Sequence, residues 1–305
     1  MVTERAREPL PGTGERARRS GLAVALLRAC RPRQWLKNLL VFAAPGAAGA
    51  LDEPRALLVC TGLFALFCLA AGGTYLLNDV HDAPADRAHV RKRHRPVASG
   101  ALPVPVAVAA GILFGVAAPL ASLALGDLRV TGLIAGYVVL TLVYTRHLRD
   151  VVLCDLVVVA GCHVLRAVAG GVAVGVPLTS WFVLVLSLGA LLVVVGKREA
   201  ELRAAGPGTP VRRTLCGYTR SYLTQTRTMA SGAMIVTYFL WALEPGDSTL
   251  WHTLSIVPFV MFVLRYNLLV DRGVGEEPEE IALRDRPIQL TLVTLVALVA
   301  AGIHL

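Results

Sequence analysis

Apolar residues gather into runs of about 20 along almost the whole chain, separated by polar links. A helical run of that length matches the hydrocarbon thickness of a bilayer. The pattern predicts spans over 36–51, 55–77, 103–123, 128–145, 151–174, 179–196, 224–243, 250–270 and 287–304. The first is short and is interrupted by Pro45 and Gly46. Residues 21–34 before it suit an amphipathic segment at the interface. The short alternating segments of a β-barrel are missing. The fold class is therefore all-α: a polytopic membrane protein, a bundle of about nine transmembrane helices.

Composition agrees. Of 305 residues, 55% are hydrophobic and 17% charged, where a soluble domain carries about a quarter charged. Mean hydropathy is +0.62. Residues 21–305 read as one transmembrane domain rather than two. Residues 1–20 are rich in Arg, Pro and Gly, lack the apolar core of a signal peptide, and read as a disordered cytoplasmic tail. Cysteines 30, 60, 68, 154, 162 and 216 form no CxxC pair and have no metal spacing, so they read as reduced, space-filling thiols.

The net charge of +9 would suggest nucleic acid in a soluble protein. In a membrane chain its position matters more, and no nucleic-acid partner is implied. Most of the 30 Lys and Arg precede the first span or lie in the links after the second, fourth, sixth and eighth. Only Arg55 and Arg129 fall on the other side, and Arg166 lies within a span. The positive-inside rule then puts the N-terminus in the cytoplasm and, with nine spans, the C-terminus outside. The second, sixth and eighth links are the long ones, so the working face is expected at the cytoplasmic side of the cell membrane.

Asn78-Asp-Val-His-Asp-Ala-Pro-Ala-Asp-Arg87 follows the second span. On a helix, Asp79, Asp82 and Asp86 fall within roughly 60° of one another. Three carboxylates on one face repel unless a cation sits among them. Mg²⁺ fits, because it joins one or two carboxylates to substrate phosphates. Pro84 limits the helix and weakens the one-face geometry. The alternative is a solvated acidic cap. Arg87, Arg91, Lys92, Arg93 and Arg95 follow; they serve either as anchors against anionic lipid or as phosphate ligands.

Further polar residues are set against apolar runs. Lys37 and Asn38 lie just inside the first span, where either a phosphate or a neighbouring helix would satisfy them. Tyr144, Arg149 and Asp155 mark the entry to the fifth span, with Arg166 deeper. Intramembrane charges are costly, so Asp155 and Arg166 each need a ligand or a partner on another helix. Lys197-Arg-Glu-Ala-Glu201 ends the sixth span, on the same side as the aspartates. Tyr218 and Tyr222 suit either an aromatic belt or contact with a sugar. The last link, 276–286, is acidic and then mixed, with Arg284 and Asp285 near its end. It reads as a lid or as a solvated loop.

Together these residues resemble the UbiA superfamily of intramembrane prenyltransferases. Within it they are most similar to the decaprenyl-phosphate phosphoribosyltransferase branch. The likeness covers about residues 28–304. It rests on Arg31-Pro-Arg-Gln-Trp-Leu-Lys-Asn38, the block Asn78–Gly100 ending Arg95-Pro-Val-Ala-Ser-Gly100, Leu165-Arg-Ala-Val-Ala-Gly-Gly171, Gly196-Lys-Arg-Glu-Ala-Glu-Leu202 and Ile281-Ala-Leu-Arg-Asp-Arg286. Typical members carry a second DxxxD-type motif after the sixth span; this chain has Lys197-Arg198-Glu199-Ala200-Glu201 there. Arg149 stands where the resemblance leads one to expect Lys.

The resemblance implies a Mg²⁺-dependent enzyme that moves 5-phosphoribosyl from phosphoribosyl diphosphate to a polyprenyl phosphate lipid. Asp79, Asp82 and Asp86 would hold the metal and, with Asp155, act in catalysis. Lys37, Asn38, Asn78, Arg87, Lys92, Arg95, Tyr144, Arg149, Arg166, Lys197, Arg198, Glu201, Tyr218, Arg284 and Asp285 would bind substrate. A role in making cell-wall arabinan also follows only from the resemblance, and a homo-oligomer is left open. Two rivals remain: an aromatic prenyltransferase, which needs a second carboxylate cluster, and a transporter, which predicts internal repeats.

Overall fold

The computed structural model describes residues 13–90, 92–205, 213–244, 249–275 and 277–304. Residues 1–12 of the expected tail, Arg91 and Glu276 lie outside them. Helix α1, Thr13–Ala29, begins within the segment read as a disordered tail. Its Ala, Arg and Leu content favours helix, and Ala25, Ala29 and Cys30 pack on the third and fourth helices.

The expected first span takes another form. Pro32–Phe42 is a 3₁₀ helix that runs into the five-residue α2, Ala43–Ala47. The long helices follow: α3 (Pro54–Ala88), α4 (Val104–Ser122), α5 (Leu128–Val143), α6 (Cys154–Val174), α7 (Ser180–Ala204), α8 (Arg220–Ala242), α9 (Thr249–Asp271) and α11 (Arg286–His304), with the short α10 (Pro278–Arg284) before α11. Among the described residues seven helices are long and apolar enough to cross a membrane. The two further expected spans are the 3₁₀ segment with α2, and α8, whose first half is polar. The chain is an all-helical integral membrane protein.

Successive long helices pack as antiparallel neighbours, and the 3₁₀ segment wedges between α3 and α6. Two glycine contacts set this arrangement. Gly73 of α3 lies on Gly111 and Gly115 of α4, where a Cβ would stand 2.7 Å from the Gly115 nitrogen. Gly170 of α6 lies on the Val41 carbonyl, where no Cβ fits. The paired glycines at 170 and 171 therefore let the irregular segment enter the bundle. Two main apolar cores result. One joins α3, α4, α5 and α6 around Phe67, Ile134 and Tyr137. The other joins α7, α8, α9 and α11 around Leu192, Phe259 and Ile288.

Alternating helix direction brings the C-terminal ends of α3, α5, α7 and α9 together with the N-terminal ends of α4, α6, α8 and α11. The polar candidates sit at this one end of the bundle, except Arg166, which lies about three turns down α6.

Candidate active site

Helix α3 continues through Pro84 to Ala88, so the three aspartates share one face as the spacing predicts. Each carboxylate meets a guanidinium. Asp79 accepts from Arg31, and from Arg95 Nη1 at 3.4 Å. Asp86 accepts from the same Arg95 nitrogen at 2.7 Å. Asp82 pairs with Arg149 from the α5–α6 link, and Asn78 Nδ2 lies 3.3 Å from its other oxygen. Asp79 and Asp86 are buried and Asp82 is partly open. Arg95 can bridge two turns of α3 because the loop after the helix folds back. Arg87 fastens that loop, donating from Nε to the Ala98 carbonyl at 3.3 Å. Lys92 lies on the exposed rim.

A second polar group sits where α6 and α7 meet. Asp155 is fully buried and accepts from Arg198 Nε at 2.8 Å and from the Tyr218 hydroxyl at 2.5 Å. Arg198 also donates to Glu201 at 2.7 Å and to the Tyr144 hydroxyl at 3.4 Å. Tyr218 in turn accepts from the Leu153 amide at 2.7 Å. That contact holds Leu153 at φ 71°, a conformation few non-glycine residues adopt. The loop it shapes carries Arg149 to Asp82. Burial, and then the hydrogen bond to the Asp155 carboxylate, raise the Tyr218 hydroxyl above its ordinary range, so it stays a donor.

Arg166 is buried, and each nitrogen of its guanidinium donates a hydrogen bond. It donates to Asn38 at 2.7 Å, to the Cys162 carbonyl at 2.6 Å and to the Tyr137 hydroxyl at 2.9 Å, and lies over the Tyr137 ring. Of the two partners open to Arg166 and Asn38 at the sequence level, the structure supplies the neighbouring element: they tie the 3₁₀ segment to α6. Lys37, one residue before Asn38, points instead to Glu279 of α10, with Nζ 2.5 Å from Oε1. Lys197 of α7 lies within electrostatic reach of Lys37, Arg198, Glu201 and Glu279.

Two candidates are not brought into this assembly. Arg284 is three-quarters exposed and pairs with Glu280 at 3.3 Å. Asp285 accepts from Arg265 at 2.8 Å and from the Ile288 amide at 3.0 Å, which caps α11. Both line an outer cavity of about 440 Å³. Sequence reasoning missed Glu279, Arg31 and the buried Glu199. Glu199 accepts from Arg227 at 2.7 Å and from Arg203 at 2.6 Å, joining α7 to α8. The signal for Glu279 was an acidic link opposite a basic one, which does not single out one residue.

The donor set suits a hard cation. Asp79, Asp82 and Asp86 offer carboxylate oxygens from one helix face. Among the described residues no three such groups converge into a ready-made metal cage.

Residues 39–284 match the UbiA prenyltransferase family. The chain belongs to that family. Its similarity to two curated relatives runs nearly end to end. It is 39% identical over 290 residues to decaprenyl-phosphate phosphoribosyltransferase of Mycobacterium tuberculosis, covering 93% of this chain and 96% of that protein. It is 38% identical to the enzyme of the same name from Mycolicibacterium smegmatis, covering 93% of each. The fold agrees with a solved UbiA homologue of Archaeoglobus fulgidus bound to GPP and Mg²⁺. The TM-score is 0.70 at 16% identity, over 92% of this chain and 100% of that one. In this UbiA member the first acidic motif keeps its aspartates on one face. The second polar cluster is of mixed charge: Glu199 turns away to Arg227 of α8, beside Lys197 and Arg198.

Proposed function

We propose that this UbiA-family protein transfers 5-phosphoribosyl from phosphoribosyl diphosphate to a polyprenyl phosphate, decaprenyl phosphate in the relatives' names, and releases diphosphate. The observation that carries the reading is the asymmetry of the site: one carboxylate face opposite a cationic wall. A donor with a diphosphate at C1 and a phosphate at C5 needs two unlike anion sites. Two equivalent acidic clusters would suit a prenyl diphosphate donor and an aromatic acceptor instead. The identity to the phosphoribosyltransferases over almost the whole chain supports the same choice.

Asp79, Asp82 and Asp86 would hold Mg²⁺, which when bound neutralises the leaving diphosphate. Arg31, Arg95 and Arg149 now occupy those carboxylates. They are then placed to turn to diphosphate oxygens, for which a planar guanidinium fork is suited. Positive charge grows at ribose C1 as its bond to diphosphate breaks, and nearby carboxylates stabilise it. The acceptor phosphate has its second pKa at about 6 and is mostly dianionic at pH 7. It therefore attacks C1 without a general base, and in-line displacement inverts that carbon. Cations must offset the approach of one anion to another; Lys37 and Lys197 are nearest this task. Asp155, Tyr144, Glu201 and Tyr218 act one step back, holding Arg198 and the Arg149 loop. The polar end faces the cytoplasm of the cell membrane by the distribution of Lys and Arg, where a soluble sugar diphosphate is available. The apolar tail of the acceptor lies in the lipid.

The test uses the purified full chain with labelled phosphoribosyl diphosphate, a polyprenyl phosphate and Mg²⁺. Label should become lipid-soluble, and Asp82→Asn should abolish this with the fold intact. A chain that instead joins a prenyl diphosphate to an aromatic acid keeps its family and loses this substrate assignment. Near-normal turnover by Asp82→Asn would remove the metal assignment.

A further inference from the structure

Helix α10 crosses the polar end of the bundle between α9 and α11 and reaches the 3₁₀ segment on the far side. It is anchored at both ends and in the middle. Before it, Gly275 lies against α7, where a Cβ would stand 3.1 Å from the Gly196 carbonyl. In the middle, Ile281 is buried. After it, Asp285 is held by Arg265. From this strap Glu279 points inward to Lys37, and Glu280 outward, 4.0 Å from Arg33 and 3.3 Å from Arg284.

The charge around Glu279 is not balanced. Lys37 and Lys197 both act on its carboxylate. Lys197 has no carboxylate within 4 Å among the described residues. Its other acidic neighbour, Glu201, is already committed to Arg198 at 2.7 Å. Two ammonium groups therefore share one carboxylate in a half-buried place, where an unmatched charge is costly. A phosphate monoester carries close to two negative charges at neutral pH and would match both lysines. If Glu279 stayed beside it, the site would hold a surplus of negative charge; if Glu279 left for water, the charges would balance.

We infer that Lys37 and Lys197 form a single subsite for a dianionic phosphate monoester, and that Glu279 fills it as a built-in counter-ion that withdraws when the phosphate enters. This rests on the transfer reading above, which requires such a group on either substrate. Glu279 is a gating residue and touches no reacting atom. Burial pushes its carboxyl up, but the charge and hydrogen bond of Lys37, with the charge of Lys197, outweigh this and hold it below the usual range. It is thus anionic at neutral pH, as a counter-ion must be.

The test measures binding and strap exposure on the full chain in detergent, by titration calorimetry and by amide hydrogen exchange across 278–284. Two probes separate the sources of phosphate: ribose 5-phosphate for the donor and farnesyl phosphate for the lipid. One of them should speed exchange across the strap in the wild type. Glu279→Gln should bind that probe about tenfold more tightly, if Glu279 fills the subsite about nine-tenths of the time. Lys37→Met and Lys197→Met should each weaken it by a similar factor. Glu279→Ala serves if the Gln variant misfolds. The inference is overturned if Glu279→Gln and Glu279→Ala leave both affinities unchanged, or if either probe slows exchange across 278–284, as a closing lid would. Tighter binding by Glu279→Gln in a protein that makes no lipid-linked ribose leaves the subsite standing and removes the transfer reading. Active transfer with unchanged affinities removes the subsite alone.

Discussion

Arg198 donates from Nε to the carboxylate of Asp155 at 2.8 Å, with both side chains sealed from solvent. The pair joins α6 to α7. Losing one partner strands a buried charge, at a cost of about 3–5 kcal/mol. Asp155→Asn and Arg198→Met should each show a loss of this size in unfolding from detergent micelles. The double variant should lose less than the sum, because its second change removes the stranded group. Additive losses would mean that the two side chains act independently.

Tyr218 connects this pair to the loop that carries Arg149. Tyr218→Phe removes the acceptor for the Leu153 amide and one donor to Asp155. The cost in stability should be about 1–3 kcal/mol. The loop should relax from the left-handed conformation at Leu153, and Arg149 should lose its placement on Asp82. The expected kinetic result is a fall in kcat larger than the rise in KM for the soluble donor. A change in stability alone would mean that Arg149 is placed by other contacts.

Gly170 is where α6 meets the backbone of the 3₁₀ segment. A Cβ at this position collides with the Val41 carbonyl, which is backbone and cannot rotate away. Gly170→Ala should therefore displace the segment carrying Lys37 and Asn38 and destabilise the protein by more than the 1–3 kcal/mol, roughly, of ordinary overpacking. Gly136→Ala, where a Cβ meets nothing within 4 Å, is the control. Equal thermal stability of the two variants would contradict the wedge.

The contact between Glu279 and Lys37 makes docking of the strap depend on pH. Lys37 and Lys197 face the carboxylate, and it also acts on Tyr75, His163 and Tyr266. Its carboxyl is depressed in the docked state, so the contribution is complete above the ordinary carboxylate range. It is lost as the pH falls through the depressed value. Hydrogen exchange across 278–284, corrected for its intrinsic pH dependence, should be flat from about pH 7 to about 5 and rise below the ordinary carboxylate range. In Glu279→Gln that step should be gone. Persistence of the step would assign it to another acid.

Much of the molecule is legible along the chain, because local chemistry decides it. A run of about 20 apolar residues has little choice but to form a helix in lipid, since each backbone polar group must be satisfied internally. That reasoning found the long helices and the common end that carries the polar motifs. It also placed Asp79, Asp82 and Asp86 on one face, because helix periodicity needs no partner. It failed at 36–51, where length and hydropathy suggested a span. There the outcome turned on Gly170 and Gly171, far away in sequence, which admit an irregular 3₁₀ segment between α3 and α6.

Partnership was the other thing sequence could not supply. Arg166 and Asp155 share a helix and both required partners, yet nothing in α6 names them. Asn38 and Tyr137 take the first, and Arg198 and Tyr218 the second, across separations of 29 to 128 residues. Glu199 and Glu201 are two residues apart and look like one acidic cluster. Their opposite orientations on α7 give one to α8 and leave the other on Arg198. The sequence by itself determined a membrane-embedded helical bundle with an acidic face and a basic counterpart at one end. Only the tertiary structure decided which charge answers which, because ion pairing depends on ångström separations between distant segments.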